Sequence, residues 1–139
     1  PNVALGELID LNLRWVGAPT FTPSDKAFAR KLGFKKPLVE WVEPAMKDYL
    51  MRVSNDQCNV SWLTPMGLFR TTCRAPDSGQ HNWLATQLYG SGIGKKGMLA
   101  AAKTIACTTI DLLTQPTVLR EIRREFTEDT RDFVYRSPI

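Results

Sequence analysis

The residues best suited to chemistry surround the only histidine of the chain. His81 stands in Arg74-Ala75-Pro76-Asp77-Ser78-Gly79-Gln80-His81-Asn82-Trp83, a polar, turn-rich stretch directly after a β-prone run. Loops held by a rigid scaffold are where ligands and catalytic groups concentrate. A surface histidine bonded to a backbone carbonyl accounts for the same residues. A catalytic zinc usually takes several His, Asp or Glu ligands, so a single histidine completes no His-rich site within one copy of this chain.

A second candidate is Gly90-Ser91-Gly92-Ile93-Gly94-Lys95-Lys96-Gly97. Successive glycines before a helix offer free amides to an anion. The Walker pattern fails because Met98 follows Gly97 where a Lys-Ser/Thr pair is needed, and no strand with a downstream acid supports a dinucleotide fold. A carboxylate-binding loop and a hinge feeding the helix are the two readings left. Ser54-Asn55-Asp56-Gln57-Cys58-Asn59-Val60-Ser61-Trp62 is a polar loop entering a strand that would bring Asp56 or Ser61 to a cleft edge, though such clusters usually serve as turns and caps. Cys58 has no basic neighbour in sequence and no G-x-S-x-G elbow occurs, which speaks against nucleophilic catalysis.

Several elements position these residues. Leu5, Leu8, Ile9, Asn12, Leu13 and Val16 share one stripe at helical spacing over residues 2–16, closed by Gly17. Thr22-Pro23-Ser24-Asp25 predicts an N-cap, a proline at N1 and an acid at N3, opening a helix over 23–32 that stops at Gly33. Pro37 and Pro44 interrupt residues 34–53. Residues 58–63 and 68–73 read as two short strands around Pro65-Met66-Gly67. After Gly94 a helix of about five turns is expected to bury Met98, Leu99, Ala102, Ile105, Ala106, Thr109, Ile110 and Leu113. A last helix starts at Pro116 and buries Val118, Leu119, Ile122 and Phe126.

With 139 residues, 43% of them hydrophobic and 23% charged, the chain has the size of one ordinary domain. Three cysteines without a CxxC pair suggest reduced thiols in a cytoplasmic setting and no structural zinc. A net charge of +4 is modest beside a dedicated nucleic-acid binder. No run reaches the ~18 apolar residues of a membrane span. The expectation is therefore a protein that binds neither nucleic acid nor membrane.

Taken in order, these stretches resemble the C-terminal part of the dinuclear zinc amidohydrolases of the aminoacylase and carboxypeptidase type, most closely the aminobenzoyl-glutamate utilisation branch. The likeness covers nearly the whole chain. Residues 2–19 with 22–29 resemble the helix pair that follows the family's inserted lid domain, and Ser54, Asp56, Val60, Ser61 and Trp62 match its S-T-D-V-G-D-V-S-W strand entry. Ala75-Pro76 through His81 and Trp83 resemble A-P-G-T-P-G-H-S-W, and Ile93-Gly94 with Lys96-Gly97-Met98 resembles S-I-G-H-K-G-M. Ala101-Ala102-Lys103, Asp111-Leu112-Leu113, Glu125-Phe126 and Tyr135-Arg136-Ser137-Pro138 continue in register. Cys58-Asn59 stand where the family has Gly-Asp, Gln80 and Asn82 flank the histidine in place of Gly and Ser, and Lys95 replaces a histidine.

The resemblance implies an α/β fold, the C-terminal half of a zinc-peptidase-like catalytic domain, mainly helical with a few central strands, with residues 1–139 forming one partial domain. It implies hydrolysis of an N-acyl or aroyl amino acid such as aminobenzoyl-glutamate, by a metal-activated water with a carboxylate as general base. The family uses zinc or manganese. His81 is the one metal ligand that carries over, and Ser91, Gly92 and Gly94 fall at the turn expected to meet substrate. The H-x-D ligand pair, the Glu-Glu segment and the lid would lie upstream, so the chain alone is expected to hold no metal and to be inactive. Its expected partner is the missing N-terminal half or a second copy of itself. The other readings are a non-catalytic interaction protein and a subunit completing a partner's active site.

Overall fold

The structure is a computed structural model that describes residues 2–46 and 57–136. Among them the chain forms six helices: α1 (Val3–Val16), α2 (Pro23–Lys31), α3 (Gln57–Val60), α4 (Trp83–Gly90), α5 (Gly92–Thr114) and α6 (Pro116–Thr130).

The helix ends follow from local chemistry. Asn2 caps α1, its side-chain oxygen accepting the Leu5 amide at 2.8 Å, while the Glu125 carboxylate takes the amides of Val3 and, at 2.9 Å, Ala4. These bonds satisfy donors that a helix leaves open at its N-terminus. Gly17, at φ 81°, terminates α1 in the left-handed region. Thr22 and Asp25 form a full capping box on α2, with Pro23 at the first helical position and Gly33 at φ 92° beyond its end. Leu8, Ile9 and Asn12 of the α1 stripe are buried, and Leu5, Leu13 and Val16 half-buried. In α6, Ile122 is buried and Val118, Leu119 and Phe126 half-buried, the face that the sequence predicts.

The central strands do not form. The described residues contain no strand, so the α/β class is corrected to an all-helical one. Residues 57–60 coil into α3, whose turn is closed by the amides of Ser61, Trp62 and Leu63 bonding to Gln57, Asn59 and Val60 at 2.9–3.2 Å. Residues 65–73 run without helix or ladder. A strand is held by its neighbour, and β-propensity expresses packing against a partner more than a backbone preference. The polar 57–61 run satisfies its backbone through turn bonds of three or four residues' reach. Ser54 and Asp56 lie outside the described residues.

Helix α5 has the period expected from the sequence but a different phase. Ile93, Gly97, Ala100, Thr104 and Thr108 are the buried side, whereas Met98, Leu99, Ala102, Ile105, Ala106, Thr109, Ile110 and Leu113 are exposed. Small residues allow close approach. A Cβ at Gly97 would overlap the Thr72 carbonyl and the Cys73 sulfur, and Thr71 Oγ1 donates to the Gly97 carbonyl at 2.9 Å.

Two compact units can be distinguished. One contains the described residues of Pro1–Leu11, Pro44–Phe69 and Cys107–Ile139. Its buried apolar side chains include Leu8, Ile9 and Ile122; Gly67 lies tight against Ile9 and Leu5, and the rings of Trp62 and Phe133 stand 4.0 Å apart. The other, Asn12–Glu43 with Arg70–Ala106, is built on Phe21, Ala29, Phe34, Leu38, Ala75, Leu88 and Ile93.

Candidate functional site

The histidine loop is firmly built from its own polar groups. Ser78, buried, donates through Oγ to the Ala75 carbonyl at 2.8 Å and accepts from the Arg74 guanidinium at 3.0 Å. Asp77 accepts the amides of Lys35 and Lys36 at 3.1 and 3.3 Å. Partial burial pulls the Asp77 carboxyl upward, but those amides and the nearby Lys36 charge outweigh it and leave the group below the usual aspartate value. Asn82 caps α4: its oxygen accepts the Ala85 amide at 2.9 Å and its nitrogen donates to the Ser78 carbonyl at 2.8 Å. Helix α4 has no counterpart among the elements expected from the sequence, although an Asn directly before an apolar run carries the N-cap signal.

His81 sits at the top of this frame. It is exposed, and at φ 57° it is the only non-glycine among the described residues in the left-handed region. Such a conformation costs a side chain about 1–2 kcal/mol. Gly79 at φ 67° and the bonds of Ser78 and Asn82 impose it. An exposed imidazole held this way can serve as a ligand or proton carrier. Among the described residues, no three His, Cys, Asp or Glu side chains gather in a group that could hold a metal ion.

The glycine turn lies against one of the chain's own carboxylates. Ser91 Oγ accepts the Ile93 amide at 3.1 Å and donates to the Leu88 carbonyl at 2.6 Å, joining α4 to α5. The Asp25 carboxylate lies where a Cβ on Gly92 would stand, and it pairs with Lys96 one turn along α5. Gly94 packs on the Tyr89 carbonyl, where a Cβ would overlap the oxygen. The amide end of α5 thus faces one of the chain's own carboxylates. The Lys96 ammonium, despite burial of the Asp25 side chain to 11% exposure, holds that carboxyl below the usual aspartate value, helped by Thr22.

A testable consequence follows for Asp25. A carboxyl whose pKa falls on folding adds stability that is present above its unfolded value, near 4, and is lost as pH drops through the folded value. Asp25→Asn should cost about 1–2 kcal/mol at pH 7 through the loss of the Lys96 charge pair and a weaker bond to the Thr22 amide. Melting curves at pH 7 and pH 3 should show the gap between wild type and variant narrowing in acid; a gap equal at both would remove the charge from this account.

A third feature carries no signal in the sequence. A cavity of about 290 Å³ is floored by Ala29, Phe34 and Leu38 and rimmed by Lys26, Arg30, Lys35 and Lys36. Lys26 pairs with Glu40 at 2.6 Å, and Glu40 also accepts the Phe21 amide. The rim favours anionic groups, but its basic residues are spread along the sequence without a motif.

An all-helical unit carrying a rigid, exposed histidine loop does not by itself define an enzyme class. No protein-family model matches the chain, and no solved structure matches it. Among curated proteins the chain is similar to one of the subunits of the p-aminobenzoyl-glutamate hydrolase of Escherichia coli (strain K12), at 34% identity over 95 residues, or 68% of this chain and 20% of that protein. This similarity supports a relation to that hydrolase family. The chain spans about a fifth of the length of the relative it matches. No helix among the described residues is long and apolar enough to cross a membrane.

Proposed function

We propose that this chain contributes to the cleavage of an amide such as aminobenzoyl-glutamate, with His81 as one metal ligand and the remaining ligands and the general base supplied by other polypeptide. The carrying observation is the 34% identity to a subunit of p-aminobenzoyl-glutamate hydrolase. The left-handed backbone of His81, imposed by the Ser78 and Asn82 bonds, supports the assignment, because strain of this kind collects at functional positions. Zinc or manganese, when bound, would polarise the amide carbonyl and activate water. His81 would orient that ion from the rim of its loop, and Ser91, Gly92 and Gly94 would meet the substrate. A substrate carboxylate at the amide end of α5 would have to displace Asp25 from Gly92. The partner in this reading is the rest of a hydrolase subunit.

Two assays test it. The chain alone, given zinc or manganese and p-aminobenzoyl-glutamate, should show no turnover; metal-dependent turnover abolished by His81→Ala would show that no other polypeptide is needed. Exchanged for the matching part of the E. coli protein in the assembled enzyme, the chain should support hydrolysis, and His81→Ala should lower it at least ~100-fold, since loss of a group that merely orients a ligand already costs 10–100-fold. Unchanged activity in that variant would end the assignment.

A further inference from the structure

The cavity beside α2 combines an apolar floor with more positive charge than the chain neutralises. It measures about 290 Å³, close to the ~300 Å³ at which small-molecule sites begin and enough for one ring with its head group. Lys26, Ala29 and Arg30 share one face of α2, and the loop after Gly33 folds back to supply Phe34, Lys35, Lys36 and Leu38. That loop is fixed along its length. The Phe34 amide bonds to the Ala29 carbonyl at 3.2 Å, the Asp77 carboxylate takes the amides of Lys35 and Lys36, and Glu40 accepts the Phe21 amide at 2.7 Å. All of these residues belong to one compact unit, Asn12–Glu43 with Arg70–Ala106.

The chain's own needs do not account for these cations. Lys26 pairs with Glu40 at 2.6 Å, whereas among the described residues no acid forms an ion pair with the side chain of Arg30, Lys35 or Lys36. Lys36 acts on the Asp77 carboxylate only through space. Basic residues after a helix often serve its last carbonyls, but the amides of Leu32, Gly33 and Phe34 already bond to the carbonyls of Phe28, Arg30 and Ala29. The floor asks for no protein cover either, since Ala29, Phe34 and Leu38 are at most 8% exposed as they stand. What is left open is three like charges around an apolar concavity. Gathered like charges repel, and a multiply charged anion between them turns that cost into attraction. A guanidinium fork beside two ammonium groups suits phosphate oxygens, while the methylene stems of the same side chains suit a ring.

We propose that this cavity binds a small organic anion of the phosphate-monoester class, its divalent head held by Arg30, Lys35 and Lys36 and a one-ring apolar body seated over Phe34 and Leu38. This goes beyond the proposed hydrolase role and does not depend on it. Titrating the full chain with phenyl phosphate at neutral pH, where a monoester carries nearly two charges, should move the amide NMR resonances of Ala29 and residues 34–38 along saturating curves. Inorganic phosphate has the head without the ring and benzyl alcohol the ring without the head, and each should bind at least ~10-fold more weakly. The double variant Arg30→Gln, Lys35→Gln, changed only at exposed positions, should lose at least ~10-fold in affinity for phenyl phosphate. Lys31→Gln, exposed on the same helix but outside the cavity, should bind it as the wild type does. Equal affinity for inorganic phosphate would reduce the rim to a bare basic surface and overturn the proposal. So would an equal loss in Lys31→Gln, or shifts that never saturate or that fall away from residues 26–40.

Discussion

Replacing Gly94 with alanine should lower stability by about 3 kcal/mol or more, among the largest effects any single methyl group can have on this chain. The new Cβ would overlap the carbonyl oxygen of Tyr89, which is backbone and cannot swing aside as a side chain tip would. Relief would require prising the start of α5 from the end of α4, and Ile93, which is fully buried beside it in the core, would move with it. Gly6→Ala is the matched control: it lies inside α1, and a Cβ there meets nothing within 4 Å. Alanine is the better helix former, so this control should be neutral or gain up to about 1 kcal/mol. Chemical denaturation of both variants checks the argument. Equal stabilities for Gly94→Ala and wild type would show that the α4–α5 junction is looser than its packing indicates.

The second large effect is expected at Leu88. This side chain is fully buried in α4 among Phe21, Ala29, Phe34, Leu38, Ala75 and Ile93, and Leu88→Ala removes both its transfer free energy and its contacts. The loss should be about 3 kcal/mol, a fall of ~10 °C in melting temperature for a chain of this size. Leu84→Ala, on the same helix but 41% exposed, should cost less than half as much. If both variants melt together, the core of this unit is not centred on α4. Because α4 also carries the Asn82 cap that anchors the His81 loop, Leu88→Ala should additionally speed proteolysis within residues 74–82.

What was legible in the sequence is what neighbouring residues determine between themselves. The capping box of Thr22 and Asp25, the left-handed stops at Gly17 and Gly33, the stripe of α1 and the proline start of α6 all depend on groups within a few positions, and all are found. The exposed, turn-rich setting of His81 also follows from Pro76, Gly79 and Asn82 nearby. Tertiary structure decided the rest. Whether residues 68–73 become a strand depends on a pairing partner, and no such partner is present among the described residues. Which side of α5 turns inward depends on how close a neighbour comes: the Thr72 carbonyl against Gly97 selects the small residues, and the large ones that carry the periodic signal face outward. The glycine turn offers amides to any anion by its composition, whereas only the fold brings Asp25, paired with Lys96 from 71 positions away in the chain, against Gly92. Local chemistry is written at a range of three or four residues, whereas contacts across dozens of residues are selected by shape and by what else needs burying.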